Sequence, residues 1–212
     1  MNATDSTNSA AGRRSTTPRD LGSGDAADAS GDADPDQPPP RSSFALSDDD
    51  GLLAAPQRAW LERSCAAAAD AALREAGADP ALAHDVRLSV VGDEAMTDLH
   101  TRWKDDPSTT DVLTFDLRED AAPGEPLDVD IVVCADEAAR QALRRNRRPE
   151  EELLLYFVHG MLHCLGHDDR EERASQAMHA CEDRILAAIG VEPLYAVAAN
   201  DDAPMSAPER RA

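Results

Sequence analysis

A long apolar stretch of the chain runs from Leu153 to Leu165 and includes two histidines. Pro149 suits the first position of a helix, and the three glutamates that follow it complement the positive end of the helix dipole. Gly166 is typical of the left-handed residue just past a helix C-terminus. The pattern therefore predicts an apolar helix that begins near Pro149 and ends before Gly166.

The rest of the chain alternates between helical and extended patterns. Apolar residues at helical spacing predict further helices at 56–76, 93–103, 136–146 and 170–189. β-Branched and alternating segments predict strands at 86–91, 112–117 and 129–134, with a short edge strand at 44–46. The segment 129–134 is almost continuously apolar, as in a central strand, and Asp93 and Asp136 are the predicted N-caps of the helices they begin. This order predicts an α/β fold, a single domain with a small mixed four-stranded sheet covered by helices.

Composition divides the chain into a domain and two extensions. Residues 1–43 are rich in Ser, Thr, Gly, Asp, Ala and Pro, which predicts a disordered acidic N-terminal extension. Residues 44–194 form the predicted domain, and residues 195–212 a disordered C-terminal tail. There is neither an apolar stretch of about 18 residues nor the apolar core of a signal peptide, so we expect a cytoplasmic protein that enters no membrane. The four cysteines lack C-x-x-C pairing, which predicts reduced thiols.

The chain is strongly acidic. Its 42 Asp and Glu residues outnumber its 21 Lys and Arg residues and give a formal net charge of -21. Such a charge opposes nonspecific attraction to nucleic acid, because phosphate binding is driven by counterion release at Lys and Arg. The arginines between positions 140 and 148 form a basic cluster, which is either a solvated helix face or a patch that contacts phosphate.

Two histidines four residues apart on the apolar helix predict a metal site. Residues i and i+4 lie on the same helix face, so His159 and His163 can direct two imidazoles at one ion. The zinc-protease pattern H-E-x-x-H-x-x-G-x-x-H, counted from His159, places the third ligand at Asp169. His167 is the alternative third ligand. Asp169 also has an alternative role as N-cap of the last helix, because Glu172 follows it at capping-box spacing.

The same motif argues against a peptidase. Gly160 stands where a zinc protease carries its general-base glutamate. Two histidines and a carboxylate are nevertheless a ligand set of catalytic zinc sites that keep an open position. Asp168 is expected to orient a ligand or the turn, and His84 and His100 are expected at the surface.

These residues resemble the hallmark of the YbeY endoribonuclease or rRNA maturation factor family, which reads H-G-x-L-H-x-x-G-Y-D-H. The matching positions are His159, Gly160, Leu162, His163, Gly166 and Asp168. His167 stands in place of the usual tyrosine, and Asp169 in place of the usual third histidine. The resemblance covers about residues 51–190 and includes the segments 86–99, 110–115 and 130–133.

The resemblance implies a single-strand-directed endoribonuclease of rRNA maturation that binds one Zn²⁺ ion. It implies action in small-subunit rRNA 3′ end processing and in ribosome quality control. RNA is then the main partner, ribosomal proteins or a ribosome-associated GTPase are further implied partners, and DNA is not expected. Zinc in such a site polarises a phosphate oxygen, lowers the pKa of a bound water, or does both.

The resemblance also assigns a role to Lys104, the only lysine of the chain. It stands where the family usually carries a catalytic-pocket arginine. Lys104 is either a cation that stabilises negative charge during phosphoryl transfer or an ordinary surface residue. Thr110 and Asp111 are either turn residues at a strand entry or pocket residues that support the metal ligands.

Two other classes of function fit the same residues. A noncatalytic ribosome-maturation factor would use zinc to stabilise its fold while it binds rRNA or a ribosomal protein, which agrees with the missing base and the negative charge. A metal hydrolase of small phosphoesters is the weaker alternative. Structural zinc favours four protein ligands, whereas a catalytic site keeps an open position, so the number of ligands separates the classes.

Overall fold

The backbone forms four strands and five helices in residues 42–79, 82–118 and 125–195, the part of the chain that the computed structural model describes. The strands are β1 (Ser43–Ser47), β2 (Asp85–Val91), β3 (Val112–Asp116) and β4 (Asp128–Cys134). The helices are α1 (Ala55–Glu75), α2 (Asp93–Lys104), α3 (Ala135–Arg145), α4 (Pro149–Cys164) and α5 (Glu172–Ala188). Each predicted helix and strand therefore occurs, and the predicted α/β class is confirmed.

The strands form one mixed sheet in the order β1-β2-β4-β3. β2 pairs in parallel with β1 and with β4, whereas β3 runs antiparallel to β4 at the edge of the sheet. A parallel neighbour requires a crossover connection, which α1 provides between β1 and β2. β4 lies between two strands and buries most of its side chains, so the predicted central strand is confirmed.

The main core lies on one face of the sheet and is built around α4. Alternate strand residues such as Leu88, Val90 and Ile131 point to this face. α4 contacts α1, α3, α5, β3 and β4, which is why the helix is apolar almost all round. A smaller cluster on the opposite face, beneath α2, comprises Met96, Leu113, Val132 and Cys134.

The predicted N-caps of α2 and α3 are wrong. The N-cap residues are Gly92 and Cys134, and neither helix has a side-chain cap on its own first turn. Instead, Asp136 Oδ2 accepts a hydrogen bond from the Asp93 amide at 2.8 Å, and the Asp93 carboxylate binds Arg140 at 2.7 and 2.8 Å. The two helices begin side by side, so each aspartate serves the neighbouring helix instead of its own.

The predicted surface position of His84 is also wrong. His84 is buried, and its Nδ1 accepts a hydrogen bond from the Leu127 amide at 2.9 Å. The amide belongs to the residue just before β4, so the imidazole joins the entries of two neighbouring strands. His100 is only partly buried, and its Nδ1 lies 2.8 Å from the Ser108 carbonyl oxygen.

Other predictions concern the ends of the chain and its cysteines. Residues 1–41 and 196–212, which hold nearly all of the two predicted disordered segments, lie outside the described residues. Among the described helices none combines the length and the apolar character needed to cross a membrane. Four cysteines are free thiols, as predicted: Cys65, Cys134, Cys164 and Cys181.

Candidate metal centre

His159 and His163 direct their rings at the same point in space from one face of α4. Their Nε2 atoms lie 3.0 Å apart, and the two rings are nearly perpendicular, at 86°. Neighbouring donors around a tetrahedral zinc are roughly 3.3 Å apart, because each zinc–nitrogen bond is about 2.0–2.1 Å long. The helical spacing of the two histidines therefore produces a pair with the separation that a shared ion requires.

Each histidine is held from behind through its other ring nitrogen. His159 Nδ1 lies 2.7 Å from Oε1 of Glu182, and His163 Nδ1 lies 3.1 Å from the carbonyl oxygen of His167. Both partners are hydrogen-bond acceptors, so the neutral rings carry their protons on Nδ1 and leave Nε2 with a free lone pair. This is the tautomer that a metal ligand needs, and the acceptors also fix the ring orientations.

The turn after α4 brings Asp169 to the histidine pair. Its Oδ2 is 3.7 Å from Nε2 of His159, and its Oδ1 is 3.9 Å from Nε2 of His163. Gly166 makes this turn possible, because its φ of 92° lies in the left-handed region that favours glycine. The three donor atoms lie within 4.8 Å of one another, and we call His159, His163 and Asp169 the His–Asp cluster.

The two predicted candidates for the third ligand lie differently relative to the histidine pair. In the described part of the chain, the donors that come together are those of His159, His163 and Asp169, without the ring of His167. His167 contributes its backbone carbonyl oxygen to His163 instead. The predicted N-cap role of Asp169 does not occur, because α5 begins at Glu172 and its N-cap is Glu171.

The surroundings of the His–Asp cluster are negative. Burial lowers the pKa of His159, but the hydrogen bond and charge of Glu182, with the charges of Asp169 and Asp111, outweigh burial and raise this pKa above its usual value. An environment that stabilises a positive imidazolium also stabilises a bound cation. The donor types, their spacing and the local charge thus all fit a divalent metal ion.

The glycine between the two histidines has a packing role. A Cβ at Gly160 would lie 2.8 Å from Thr114 Oγ1 and 3.2 Å from Ile131 Cγ2. The absent side chain therefore lets α4 approach β3 and β4 closely. A glutamate, the general base of the zinc-protease pattern, does not fit at this position without displacing the sheet.

Other candidate groups near the His–Asp cluster serve different purposes. Asp168 Oδ1 accepts a hydrogen bond from the Arg170 amide, so it supports the turn, one of its two predicted roles. Burial raises the pKa of the Cys164 thiol to about 12, with a further contribution from the charge of Asp116, so this cysteine does not offer a thiolate. His179 stacks on Tyr195 with 3.8 Å between the ring centroids.

Glu182 is the functional candidate that the sequence analysis missed. The residue is fully buried, yet it is an acid. A signal for it exists, because Glu182 lies four residues after Met178 and three before Ile185, inside the apolar stripe of α5. An acid within an apolar stripe requires a buried partner, and His159 is that partner.

Lys104 occupies the last position of α2 and is exposed. The helix packs against β4 and α3, and residues 105–111 lead from Lys104 to β3. Thr109, Thr110 and Asp111 of this connection line a cleft of about 340 Å³ together with residues of α3 and with Tyr156 of α4. Thr110 and Asp111 thus line a pocket and also stand at the entry of β3, where Asp111 Oδ1 accepts a hydrogen bond from the Val112 amide at 2.9 Å. Their support of the metal ligands stays a prediction.

The predicted basic cluster is largely neutralised within the fold. Four of its five arginines pair with carboxylates: Arg140 with Asp93 and Glu137, Arg145 with Glu152, Arg147 with Glu151, and Arg148 with Glu150 and Glu151. These ion pairs connect α3 and the α3–α4 turn to their neighbours. The cluster is therefore not a free cationic surface.

Comparisons with known proteins give the family. Residues 54–190 match the family model of endoribonuclease YbeY. A protein of Beutenbergia cavernae named endoribonuclease YbeY is 42% identical over 98 residues, which cover 43% of this chain and 65% of the relative. The proteins of that name from Micrococcus luteus and Thermobifida fusca are 34% and 37% identical; the alignments cover 55% and 49% of this chain and 78% and 70% of the relatives.

A solved structure is also similar. The solution structure of a protein from Thermotoga maritima aligns with 80% of this chain and with 100% of its own, at 22% identity and a TM-score of 0.48. The family model spans well over half of the chain and contains all five helices and the His–Asp cluster. From the family-model match and the identities to the named relatives it follows that the chain belongs to the YbeY endoribonuclease family.

Proposed function

We propose that this chain is a zinc-dependent endoribonuclease that cuts single-stranded regions of rRNA during ribosome maturation. The observation that carries the proposal is the His–Asp cluster, with Nε2 atoms 3.0 Å apart and carboxylate oxygens 3.7 and 3.9 Å away. Membership of a family whose named relatives are endoribonucleases supports the choice of RNA as substrate. Three protein ligands leave an open position for the substrate, as catalytic zinc sites do.

In this proposal His159, His163 and Asp169 hold one zinc ion. The ion supplies a Lewis acid that polarises a phosphate oxygen or lowers the pKa of a water molecule. Glu182 and the His167 carbonyl keep the two imidazoles in their binding tautomer and orientation. Asp169 lowers the net charge of the loaded site and leaves one side of it open toward solvent, where an RNA strand has access.

Lys104 is the proposed cation for the charge that develops on the phosphate. The side chain is exposed and stands at the end of α2, just before the connection that continues into the cleft residues Thr109, Thr110 and Asp111. A lysine supplies a point charge without the planar fork of an arginine, so we expect it to stabilise charge and not to fix the phosphate orientation. Its proposed role is electrostatic stabilisation.

The biological setting is part of the same proposal. The family resemblance supports 3′ end processing of small-subunit rRNA and ribosome quality control in the cytoplasm. It also supports contacts with ribosomal proteins or with a ribosome-associated GTPase. The acidic chain agrees with partners that supply positive charge, because the formal net charge of -21 favours basic proteins.

Cleavage of an end-labelled RNA with paired and unpaired regions tests the proposal. We expect zinc-loaded protein to cut the unpaired regions and an identically purified His163→Ala variant to lose the cuts. Lys104→Ala should lower the cleavage rate at least about tenfold, because one stabilising charge contributes that much. Lys104→Arg keeps the positive charge and should cut at about the rate of the parent. Equal cutting by the parent and by His163→Ala would reject the nuclease.

A noncatalytic zinc-stabilised maturation factor is the second candidate. The packing at Gly160, which leaves no room for the glutamate base of the zinc-protease pattern, is the observation that favours it. The two candidates differ in the effect of metal removal. If the ion is structural, its removal by a chelator should lower the melting temperature strongly. If the ion is catalytic, the metal-free protein should stay folded.

A further inference from the structure

The polar cleft beside the His–Asp cluster has no part in the metal chemistry. Its volume is about 340 Å³. Residues 109–111 form one wall, Glu137, Gln141 and Arg145 of α3 form the second, and Tyr156 of α4 forms the third. The three α3 residues are spaced by four, so one helix face supplies a continuous wall. We call this feature the Tyr156 cleft.

Tyr156 brings an unused polar group to the cleft. The residue is only 5% exposed, and its hydroxyl has no hydrogen-bond partner among the described residues. Burial raises the pKa of this phenol, and the charges of Asp111, Glu152 and Glu137 raise it further. The hydroxyl therefore stays protonated and lies among carboxylates of the cleft walls. A buried hydroxyl without a hydrogen-bond partner costs folding free energy, so a ligand that accepts a hydrogen bond from it is favoured.

The charges around the cleft exclude a phosphate as its ligand. Asp111 carries negative charge into the lining, Glu137 already binds Arg140 and Gln141, and Arg145, the lining cation, already binds Glu152 at 2.7 Å. A phosphate would meet two carboxylates and no free cation. A neutral ligand with hydrogen-bond donors for the carboxylates and an acceptor for the tyrosine hydroxyl fits this lining.

The cleft and the proposed cleavage site are connected through α4, which carries both Tyr156 and His159. Tyr156 and His159 are three residues apart on α4, which places them on adjacent turns of the same side, roughly 5–6 Å apart at Cβ. Asp111 acts electrostatically on both residues, since its charge raises the pKa of each. A strand whose phosphate sits at the His–Asp cluster therefore presents a neighbouring base to the cleft.

We propose that the Tyr156 cleft binds a nucleobase that carries an exocyclic amino group, on the nucleotide next to the phosphate at the His–Asp cluster. The inference rests on the proposed function and specifies its substrate. The amino group donates to Asp111, and a ring nitrogen or carbonyl of the base accepts from Tyr156. Unpaired bases are read by such contacts to their edges, and carboxylates accept from cytosine N4 in known complexes.

Cytidine and uridine form a matched pair for the test, because uridine replaces the amino group with an acceptor. We would titrate each into the full-length protein, with and without zinc, and follow the Thr110 and Gln141 signals by NMR. Cytidine should bind at least about tenfold more tightly than uridine, because uridine sets an acceptor against a carboxylate. Equal affinities for the two nucleosides would overturn the inference.

The Tyr156→Phe variant provides a second test of the inference. The variant removes only the hydroxyl, and since that hydroxyl is unpartnered within the described residues, we expect no loss of thermal stability. Cytidine binding should weaken about fivefold, the usual effect of one neutral hydrogen bond. Unchanged binding by Tyr156→Phe would also overturn the inference.

The two proposals fail separately. Nucleoside binding needs neither cleavage nor metal. Selective cytidine binding by a protein that cuts no RNA would therefore reject the proposed nuclease activity and support base binding in the Tyr156 cleft. Metal-dependent cleavage by a protein that binds neither nucleoside, with equal cutting beside cytosine and uracil, would keep the nuclease and reject the cleft.

Discussion

At position 169 this chain carries a carboxylate where the YbeY pattern has a histidine. The structure shows that the exchange keeps a donor near the histidine pair, because the Asp169 oxygens lie 3.7 and 3.9 Å from the two Nε2 atoms. A carboxylate is a harder ligand than an imidazole and lowers the charge of the loaded site by one. We therefore expect the exchange to alter metal affinity and preference without abolishing binding.

The third ligand can be identified by a titration. Asp169→Ala should lower zinc affinity at least about tenfold, because a ligand is lost, whereas His167→Ala keeps the backbone carbonyl that orients His163 and should bind zinc normally. The Asp169→His variant, which restores the family pattern, should bind zinc at least as tightly as the parent protein does. A competition titration with a chromogenic chelator measures all three. Greater loss in His167→Ala than in Asp169→Ala would assign the ligand to His167.

Glu182 is expected to position His159 and not to contact the substrate. Glu182→Gln keeps the shape but weakens the acceptor, so zinc affinity should fall about 10–100-fold. A second readout is the His159 tautomer in metal-free protein, measured by ¹⁵N NMR, which should shift away from the Nδ1–H form. Glu172→Gln in the first turn of α5 is the matched control. An unchanged tautomer and unchanged affinity in Glu182→Gln would reject the positioning role.

At the scale of secondary-structure elements, the closest packing at the site is the crossing of α4 over β3 and β4. Gly160→Ala should gain up to about 1 kcal/mol of helix propensity but lose roughly 1–3 kcal/mol to the contacts with Thr114 and Ile131, so we expect net destabilisation. Denaturant unfolding of the metal-free protein measures this change in the free energy of unfolding. Adding Thr114→Ala should recover part of the loss. A Gly160→Ala protein more stable than the parent would contradict the close approach.

The junction of α2 and α3 makes a pH-dependent contribution to stability. The hydrogen bonds from Arg140 lower the pKa of Asp93 to about 2, against the opposing effect of burial. A lowered pKa stabilises the fold above the unfolded-state pKa, near 4, and this stabilisation is lost as the pH falls through about 2. Asp93→Asn should therefore lower the free energy of unfolding at pH 7, and the difference should shrink below pH 4.

The expected size of this effect is small, because the Asp93 and Arg140 side chains are 43% and 40% exposed. After solvent screening we expect less than about 1 kcal/mol. Chemical denaturation at several pH values gives the comparison, and Asp98→Asn on the exposed side of α2 is the control. A difference that stays constant from pH 7 to pH 3 would contradict the assignment.

At the scale of the whole molecule, the net charge of -21 must be reconciled with an RNA substrate. Most of the arginines at 140–148 already pair with carboxylates, so they do not offer free charges to a phosphate backbone. The proposed recognition instead relies on one metal ion, one lysine and a polar cleft that binds an uncharged base. Such a protein binds RNA with few phosphate contacts.

The salt dependence of RNA affinity tests the expectation of few phosphate contacts. Each neutralised phosphate of a single strand contributes a slope of about -0.7 in log affinity against log salt, so two contacts predict a slope near -1.4. Fluorescence anisotropy of a labelled single strand with the His163→Ala protein and with the zinc-loaded parent measures the slope without and with the metal. A slope steeper than about -4 would indicate an extended basic surface and contradict this expectation.

The sequence predicted the elements of this fold because they depend on local patterns. Helical spacing, β-branched runs and turn residues lie within a few positions of one another, so the ends of α1, α4 and β4 follow from them. The family resemblance and the i,i+4 histidine pair are local in the same sense. The N-caps of α2 and α3 were missed because the relevant partners, Asp136 and Arg140, lie more than forty residues from Asp93.

The sequence by itself determined the helices and strands, the acidic character, the family and the chelating pair His159 and His163, since each is set by composition or short-range spacing. Only the tertiary structure revealed the strand order, the approach of the Asp169 carboxylate to the two histidines, the buried support from Glu182 and the Tyr156 cleft. These features join residues from different elements. Their energies depend on packing and burial, which no local pattern encodes.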